Sequence, residues 1–479
     1  MSYIGYIDSI RGRVIRGWAH NAAAPAERVA LRILCEEREI GTTIASIYRP
    51  DLQNAGIGDG RHGFEYEIEA SLPTTARYQV RVAGAAYHLV DNTLKQRKRA
   101  DEAFLHSHID GLPSLRYGYS RARVRRIDVA VARAMIAAWR SLVAPAGDRF
   151  IGSWNMWEIH AEGRQRAFVS LLEQGDAKAL AEYCIALPAQ AITHGLSQGD
   201  EQTEALAHAS PAGLNGEACR YWDYLLALGE YLGARNVECP EQGEWGRAVF
   251  ADMDELRARI DRALGFCVVP PEVFDGLFGL RYRQGILHRR DIHACYGAHR
   301  LHEIAARRSV PVVEIGGGMG GAAYYARRLG LRDYTIVDLP VISLLQFHFL
   351  AKAFGLDQVS FVARPEDFRH DGRIQLVPAG LFGDDAIGGF ELAFNMDSFP
   401  EMGAAVAGSY LRELERRDVR TLFSINQEAT APLTEDVRGE RQACVRELAR
   451  ATRYQSVLRY PTWVHKGYVD EVFVLRQRA

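Results

Sequence analysis

The chain has no CxxC pair, no HExxH pattern and no uncharged apolar run near the ~18 residues a membrane-crossing helix needs. It also has almost no net charge, −2 over 479 residues. Each absence excludes something. Its seven cysteines are scattered, odd in number and unpaired in spacing, which argues for reduced thiols and against a structural zinc site. A near-neutral balance gives no global reason to bind nucleic acid. The opening MSYIGYIDSIRGR lacks the apolar core of a signal peptide, so a cytoplasmic location is expected. What remains is a globular composition, 48% hydrophobic and 25% charged, in a chain long enough for two or three domains.

The densest chemistry lies between Val312 and Asp338, VVEIGGGMGGAAYYARRLGLRDYTIVD. Val312, Val313 and Ile315 read as a short strand buried on both faces. Gly316, Gly317, Gly318, Gly320 and Gly321 then turn the backbone with no Cβ in the way, so a ligand can lie against the main chain. Ala322 to Leu329 read as a helix, and Tyr334 to Val337 as a second strand that delivers Asp338 at its carboxyl end, where it can hold a ribose hydroxyl. A dinucleotide fold shares those features. Glu314 discriminates, because ExGxGxG puts an anion beside the turn, which attracts the sulfonium and ammonium groups of S-adenosylmethionine and repels a pyrophosphate.

Residues 1–94 alternate in short runs, Val29–Cys35, Phe64–Ile68 and Tyr78–Val82 among them, as a β-sandwich would, with Trp18 and Phe64 as anchors. The stretch Arg49–Glu65 reads as a long turn. At Leu94 the composition changes to LKQRKRADE, and Lys95, Arg97, Lys98, Arg99, Arg116, Arg121, Arg123, Arg125 and Arg126 make a locally basic segment. It is either a solvated helix face or a surface for anionic partners. Residues 95–300 are taken as a helical region, a linker or first helix followed by helical period over residues 120–300, and the stretch from Gly276 is expected to feed a helix carrying His288, His293, His299 and His302. Tyr282, Arg283, His288 and Tyr296 can touch ligand from that side, and no metal site follows from the histidine spacing.

Residues 301–479 continue as a Rossmann-like α/β domain. A helix begins at Pro340, a third strand at Val359–Ala363, a loop-rich stretch runs from Asp371 to Gly389, and a fourth strand, Phe390–Phe394, ends at Asn395 and Asp397. Asp367 is a candidate for the adenine amino group. Asn395 and Asp397 are expected to face cofactor and acceptor. Ser398 and Glu401 form a Ser-x-x-Glu capping box in sequence, which accounts for Glu401 as well as catalysis does. A fifth strand, Thr421–Ile425, ends at Asn426, Gln427 and Glu428, and Tyr454–Leu475 reads as an edge hairpin carrying Trp463, His465 and Tyr468.

Two resemblances add to this reading. GWA at Gly17–Ala19 with RPDLQNAGIGDGRHGFE resembles a β-sandwich module of polysaccharide-biosynthesis glycosyltransferases. VVEIGGGMGG, YTIVDLP, FNMDSFPEM, FSINQEA and RYPTWVHKGYVDE together resemble the sugar O-methyltransferases of bacterial surface-glycan gene clusters, over roughly residues 270–475. The second resemblance implies a class I methyltransferase fold, S-adenosylmethionine as donor and a sugar hydroxyl as acceptor. It carries cofactor roles onto Glu314, Gly316, Gly318, Gly320 and Asp338, and places Asn395, Asp397, Glu401 and Asn426 around the acceptor. As general base Asp397 comes first, then Glu401 and His465. Glu428 and Tyr468 join Asn426 on the acceptor side, and a magnesium ion bridging Asp397 and Glu428 is allowed by ligand chemistry without being required. A nicotinamide-dependent oxidoreductase and a non-catalytic glycan-binding scaffold remain as alternatives. The form of the sugar acceptor (nucleotide-linked, lipid-linked or polymeric), glycan-assembly partner enzymes and a homo-oligomeric state stay open.

Overall fold

A computed structural model describes residues 3–11, 13–35, 38–69, 72, 78–91, 118–142, 163–237, 253–429 and 442–477. Lys95, Arg97, Lys98, Arg99 and Arg116 of the basic segment lie outside them. The chain forms two compact units, Met1–Ser114 and Leu115–Ala479. Among the described residues no helix is long and apolar enough to cross a membrane.

The first unit holds two sheets. One contains β1 (Tyr3–Arg11), β2 (Val14–Asn21), β5 (Ile47–Tyr48), β6 (Arg61–Glu67) and β8 (Val90–Asp91), in the order β5-β6-β2-β1-β8. The other contains β3 (Ala30–Cys35), β4 (Arg38–Ile44) and β7 (Tyr78–Val82), in the order β4-β3-β7. Alternation along the strands sends Ile7, Ile15 and Phe64 from the first sheet and Leu31, Ile33 and Val80 from the second into one apolar cluster. Trp18 is buried on β2. The stretch read as a long turn contains a short helix, α1 (Pro50–Asn54), and is tied down by Arg28 on Asp59 at 3.1 Å and by Arg49 on Asp8 and Asp51.

The second unit begins with β9 (Tyr119–Arg121) and helices α2 (Val129–Ser141), α3 (Arg166–Gln174), α4 (Ala177–Ile185), α5 (Asp200–Ala207), α6 (Pro211–Tyr231) and α7 (Met253–Leu264). Asp128 caps α2 and Asp176 caps α4, each accepting from a backbone amide of the first turn. The stretch from Gly276 does not run directly into a helix. It first forms the hairpin β10 (Phe278–Tyr282) and β11 (Gly285–Leu287), with β9 antiparallel on β10. Strand-type residues around Gly285 outweigh the helical period there.

A Rossmann-like α/β layer follows. Helix α8 (Arg289–Ile304) leads to β12 (Val312–Ile315), α9 (Gly321–Arg328), β13 (Tyr334–Asp338), α10 (Pro340–Phe354), β14 (Val359–Phe361), β15 (Ile374–Pro378), β16 (Leu392–Met396), α11 (Gly403–Arg416), β17 (Thr421–Asn426), α12 (Val445–Ala449), β18 (Tyr454–Pro461) and β19 (Val469–Leu475). The eight strands lie in the order β14-β15-β13-β12-β16-β17-β19-β18, parallel except for the terminal hairpin, in which β19 pairs antiparallel with β17 and β18. Within the stretch expected to be loop, Ile374–Pro378 is a fully buried strand and takes the place beside β13, leaving Val359–Phe361 at the edge. Five residues interrupted by Gln375 are too short to show a period.

Adjacent residues of each strand feed opposite cores. Val312, Ile336 and Phe394 pack beneath α8, α9 and α10 in a cluster continuous with Met135, Leu180 and Tyr221 of the helical layer. Val313, Ile315 and Val337 pack against Ala407, Tyr410 and Leu411 of α11. The chain runs outward from β12 in one direction and restarts at β16 in the other, so a crevice opens between the carboxyl ends of these two strands. Asn395 closes its floor. Its Nδ2 donates to the Ile315 carbonyl at 2.8 Å and to Ser398 Oγ at 2.5 Å, and its Oδ1 accepts from Asn426 Nδ2 at 2.8 Å.

Replacing Asn395 with alanine removes its hydrogen bonds to Ile315, Ser398 and Asn426, leaving the Ile315 carbonyl with Ser398 Oγ alone and the Asn426 amide with Ser424 Oγ alone. The expected loss is about 1–3 kcal/mol of stability, read as a lower urea midpoint at unchanged slope.

Candidate active site

The crevice continues into a cavity roofed by the helical layer. Its wall includes the glycine turn, Asp338, Met396, Asp397 and Glu401 from the α/β side, and His288, Arg290, Asp291, His293 and Tyr296 from α8 and its cap. Pro270, Pro271 and Phe274 close it from the segment ahead of β10.

The turn itself needs glycine at two positions. Gly316 sits at φ +72°, and a Cβ there would run into Ser398 Oγ, which donates to the Ile315 carbonyl at 3.0 Å. Gly318, at φ +55°, has nothing within 4 Å of its Cβ position, so its backbone is bare toward the cavity. Gly320 takes the N-cap of α9.

Glu314 lies directly beneath this turn, 2% exposed, with Tyr334 donating to Oε2 at 3.0 Å. Burial pushes its carboxyl up to about 8, and the nearby Asp338 adds to the shift. At neutral pH the ligand-free protein therefore holds Glu314 largely as the acid. Asp338 ends β13 and opens partly to the cavity. Its Oδ1 accepts from the Leu339 amide at 2.8 Å and its Oδ2 from Gln346 Nε2 at 2.7 Å, while the same Nε2 donates to the Gly318 carbonyl at 3.0 Å. Burial raises Asp338 to about 7 against those hydrogen bonds and the amides of Gly317 and Gly318. Asp338 thus pins the turn in place as well as facing the cavity.

At the end of β16, Asp397 adopts φ +59°, a left-handed conformation that aspartate tolerates better than most residues. The turn aims its carboxylate at two partners: the Tyr468 hydroxyl donates to Oδ1, and Arg290 Nη1 stands 3.6 Å from Oδ2. The expected capping box does not form. Ser398 makes no cap hydrogen bond, because its hydroxyl is engaged with Ile315 and Asn395, and the residues after it make a 3₁₀ turn, Phe399–Met402, before α11 starts at Gly403. Glu401 is released to the cavity wall, where burial and the charge of Asp397 raise it to about 7 while Arg290 opposes the shift.

His465 also lines the cavity and sits between two rings. Its centroid is 3.7 Å from Tyr468 at 14° and 4.3 Å from His293 at 18°. Burial takes His465 down to about 4, so the stack is uncharged at neutral pH and His465 is a weak proton acceptor.

The remaining sequence candidates lie elsewhere. Asp367 pairs with Arg364 at 3.2 Å on the surface, outside the cavity wall. Asn395 and Asn426 are buried struts between strand ends, bonded to each other and, from Asn426, to Ser424 Oγ at 2.7 Å. Neither is on the cavity wall, and their amide donors are spent on the β12–β16–β17 junction. Glu428 is gripped by Arg459 through contacts of 2.7 and 2.8 Å and held below the usual carboxylate range, and it is not on the cavity wall that Asp397 lines. Among the described residues no group of three or more His, Cys, Asp or Glu is placed to hold a metal. Tyr282 packs under Arg257 in the core, and neither it nor Arg283 is on the cavity wall, whereas His288 and Tyr296 are. The sequence reading missed Arg290 and Asp291. Their only signal was position: the first turn of the helix that leads into the glycine-turn strand.

Glu314 supplies a test of this electrostatic picture. In an unfolded chain a glutamate titrates at roughly 4.3. Folded, it titrates at about 8, so the native state holds the extra proton between those values and stability falls as pH rises through that window. The thermal midpoint of the ligand-free protein is expected to decline from pH 5 to pH 8, roughly the span between the two values. Glu314→Gln, which still accepts from Tyr334, is expected to flatten that decline in a calorimetric series.

No protein-family model matches the chain, and no curated protein matches it. Among solved structures it is similar to the 1,6-didemethyltoxoflavin-N1-methyltransferase of Burkholderia thailandensis, with 19% identity and a TM-score of 0.29 over 38% of this chain and 79% of that one. It is similar to the CcbJ methyltransferase of Streptomyces caelestis, with 16% identity and a TM-score of 0.27 over 38% of this chain and 90% of that one. It is also similar to the mitomycin 7-O-methyltransferase MmcR, with 14% identity and a TM-score of 0.31 over 79% of this chain and 99% of that one.

Proposed function

We propose that the chain is an S-adenosylmethionine-dependent O-methyltransferase whose acceptor is a sugar hydroxyl, acting in bacterial surface-glycan biosynthesis. The observation that carries the donor assignment is the wall around the bare glycine turn, where Asp338 and Asp291 bring carboxyl groups above the buried Glu314, while Arg290 on the same wall is directed at Asp397. Such a wall favours a cation and disfavours the pyrophosphate of a dinucleotide. The sugar and the glycan pathway rest on the resemblance of the five motifs. The N-terminal unit is read as a module that locates the enzyme on glycan or partner enzymes, its Arg49–Gly60 stretch being exposed and pinned.

In this reading the main chain of Gly316–Gly318 and the carboxylate of Asp338 hold the adenosine end of the donor. When bound, the donor supplies an electrophilic methyl group on a sulfonium whose charge disappears on transfer. Asp397, oriented by Tyr468 and Arg290, positions the acceptor hydroxyl, and Glu401 accepts its proton as the oxygen takes the methyl group and the carbon–sulfur bond pair leaves with sulfur. Glu401 replaces Asp397 as first choice for the base because a carboxyl near 7 matches neutral operation and has no competing cap to serve.

Titration calorimetry is expected to show saturable binding of S-adenosylmethionine and S-adenosylhomocysteine and none of NAD, with Asp338→Ala weakening both. Binding of NAD alone would turn the reading into an oxidoreductase. With a competent glycan acceptor, Glu401→Gln is expected to keep donor affinity and lower kcat by roughly 10²–10⁴-fold, abolishing a rising limb of the pH profile near neutrality. An unchanged kcat would remove Glu401 as base.

A further inference from the structure

A carboxylate favours the ammonium group of such a donor, and Glu314 is poorly placed for it, buried under the turn with one oxygen held by Tyr334. A second carboxylate reaches the same wall from the helical layer. Asp291 is the third residue of α8, and its Oδ2 accepts from the His288 amide at 2.8 Å while the His288 ring accepts from Arg290 N at 3.3 Å, a reciprocal cap. That cap fixes the Asp291 side chain and uses one of its two oxygens. Asp291, Ala294, Cys295 and Ala298 share one face of α8 by three- and four-residue steps. This face meets α9 at its first residue, since a Cβ at Gly321 would lie 3.2 Å from Ala294 Cβ. One helical turn before that contact, Asp291 stands beside the glycine turn, on the cavity wall with Gly318, Met319 and Gly321.

Among the described residues Asp291 forms no ion pair. Burial alone lifts its carboxyl to about 7, opposed only by the His288 amide. A carboxylate taken from water without a cation is costly, and a cationic ligand group arriving at its free oxygen removes that cost. We propose that Asp291 binds the ammonium group of the donor's methionine end, so that donor recognition is shared between the strand ends of the α/β layer and the first turn of α8. This assignment rests on the methyl-donor reading above.

The test pairs one substitution with one change in ligand. Asp291→Asn keeps an oxygen for the His288 amide and removes the charge. Binding of S-adenosylhomocysteine is compared with that of its deaminated analogue, which keeps the carboxylate and lacks the ammonium. In the wild-type chain, loss of the ammonium is expected to weaken binding roughly 10–100-fold, as removal of a charge-assisted hydrogen bond does. In Asp291→Asn the same change is expected to cost under about 3-fold, the difference being the coupling between the two groups. Asp291→Glu, which keeps the charge, is expected to retain the discrimination and so separates this role from damage to the helix cap. Equal penalties in wild type and Asp291→Asn would overturn the assignment. Failure of the wild-type chain to bind S-adenosylhomocysteine or S-adenosylmethionine at all would instead overturn the methyl-donor reading, and this assignment with it.

Discussion

The amide of Asn395 reaching the Ile315 carbonyl at 2.8 Å joins the carboxyl ends of the two strands between which the sheet reverses its order of growth. The site depends on that junction. Ser398 uses the same carbonyl at 3.0 Å and fills the space that would otherwise take a side chain at residue 316, so the glycine turn and the turn after β16 are built against each other. Asn426 continues the chain of amides to β17. The amide donors of Asn395 and Asn426 are thereby spent among the three strand ends, while Asp397 and Glu401 line the cavity.

Acids buried around the crevice define the second feature of the molecule. Asp291, Glu314, Asp338 and Glu401 all have proton affinities raised by burial toward neutrality. Ionising carboxyl groups in such a setting costs stability. On the function proposed above, a ligand that returns positive charge would offset that cost, and burial strengthens each interaction inside the site.

The uncharged stack His293–His465–Tyr468 shows how the two layers cooperate. His293 belongs to α8, whereas His465 and Tyr468 belong to the turn between β18 and β19, and their parallel rings hold the Tyr468 hydroxyl on Asp397. A second tie runs nearby, where Tyr296 of α8 donates to Asp470 Oδ2 at 2.6 Å and Thr462 to Oδ1 at 2.6 Å. The helix that carries Arg290 and Asp291 is thereby fixed to the terminal hairpin as well as to α9.

Much of this was legible in the sequence, for local reasons. Glycines at 316, 318 and 320, the acid at 338, proline at 340 and the alternation of the terminal hairpin are short-range signals, and the turn, α9, α10 and the hairpin appear where they point. Side-chain direction is not a short-range property. Asn395 and Asp397 sit two residues apart at one strand end, yet one is a buried strut and the other a cavity residue, because φ +59° at Asp397 turns the chain after the strand has stopped. Glu401 matched a cap and became a cavity acid once Ser398 was drawn to Ile315. Glu428 matched a ligand and became the partner of Arg459, which comes from β18. Arg290 and Asp291 carried no motif at all. Sequence determined which backbone could approach a ligand; only the packing of α8 over α9 and of β16 beside β12 decided which carboxylates meet it, because burial and charge partners are set by residues far apart in the chain.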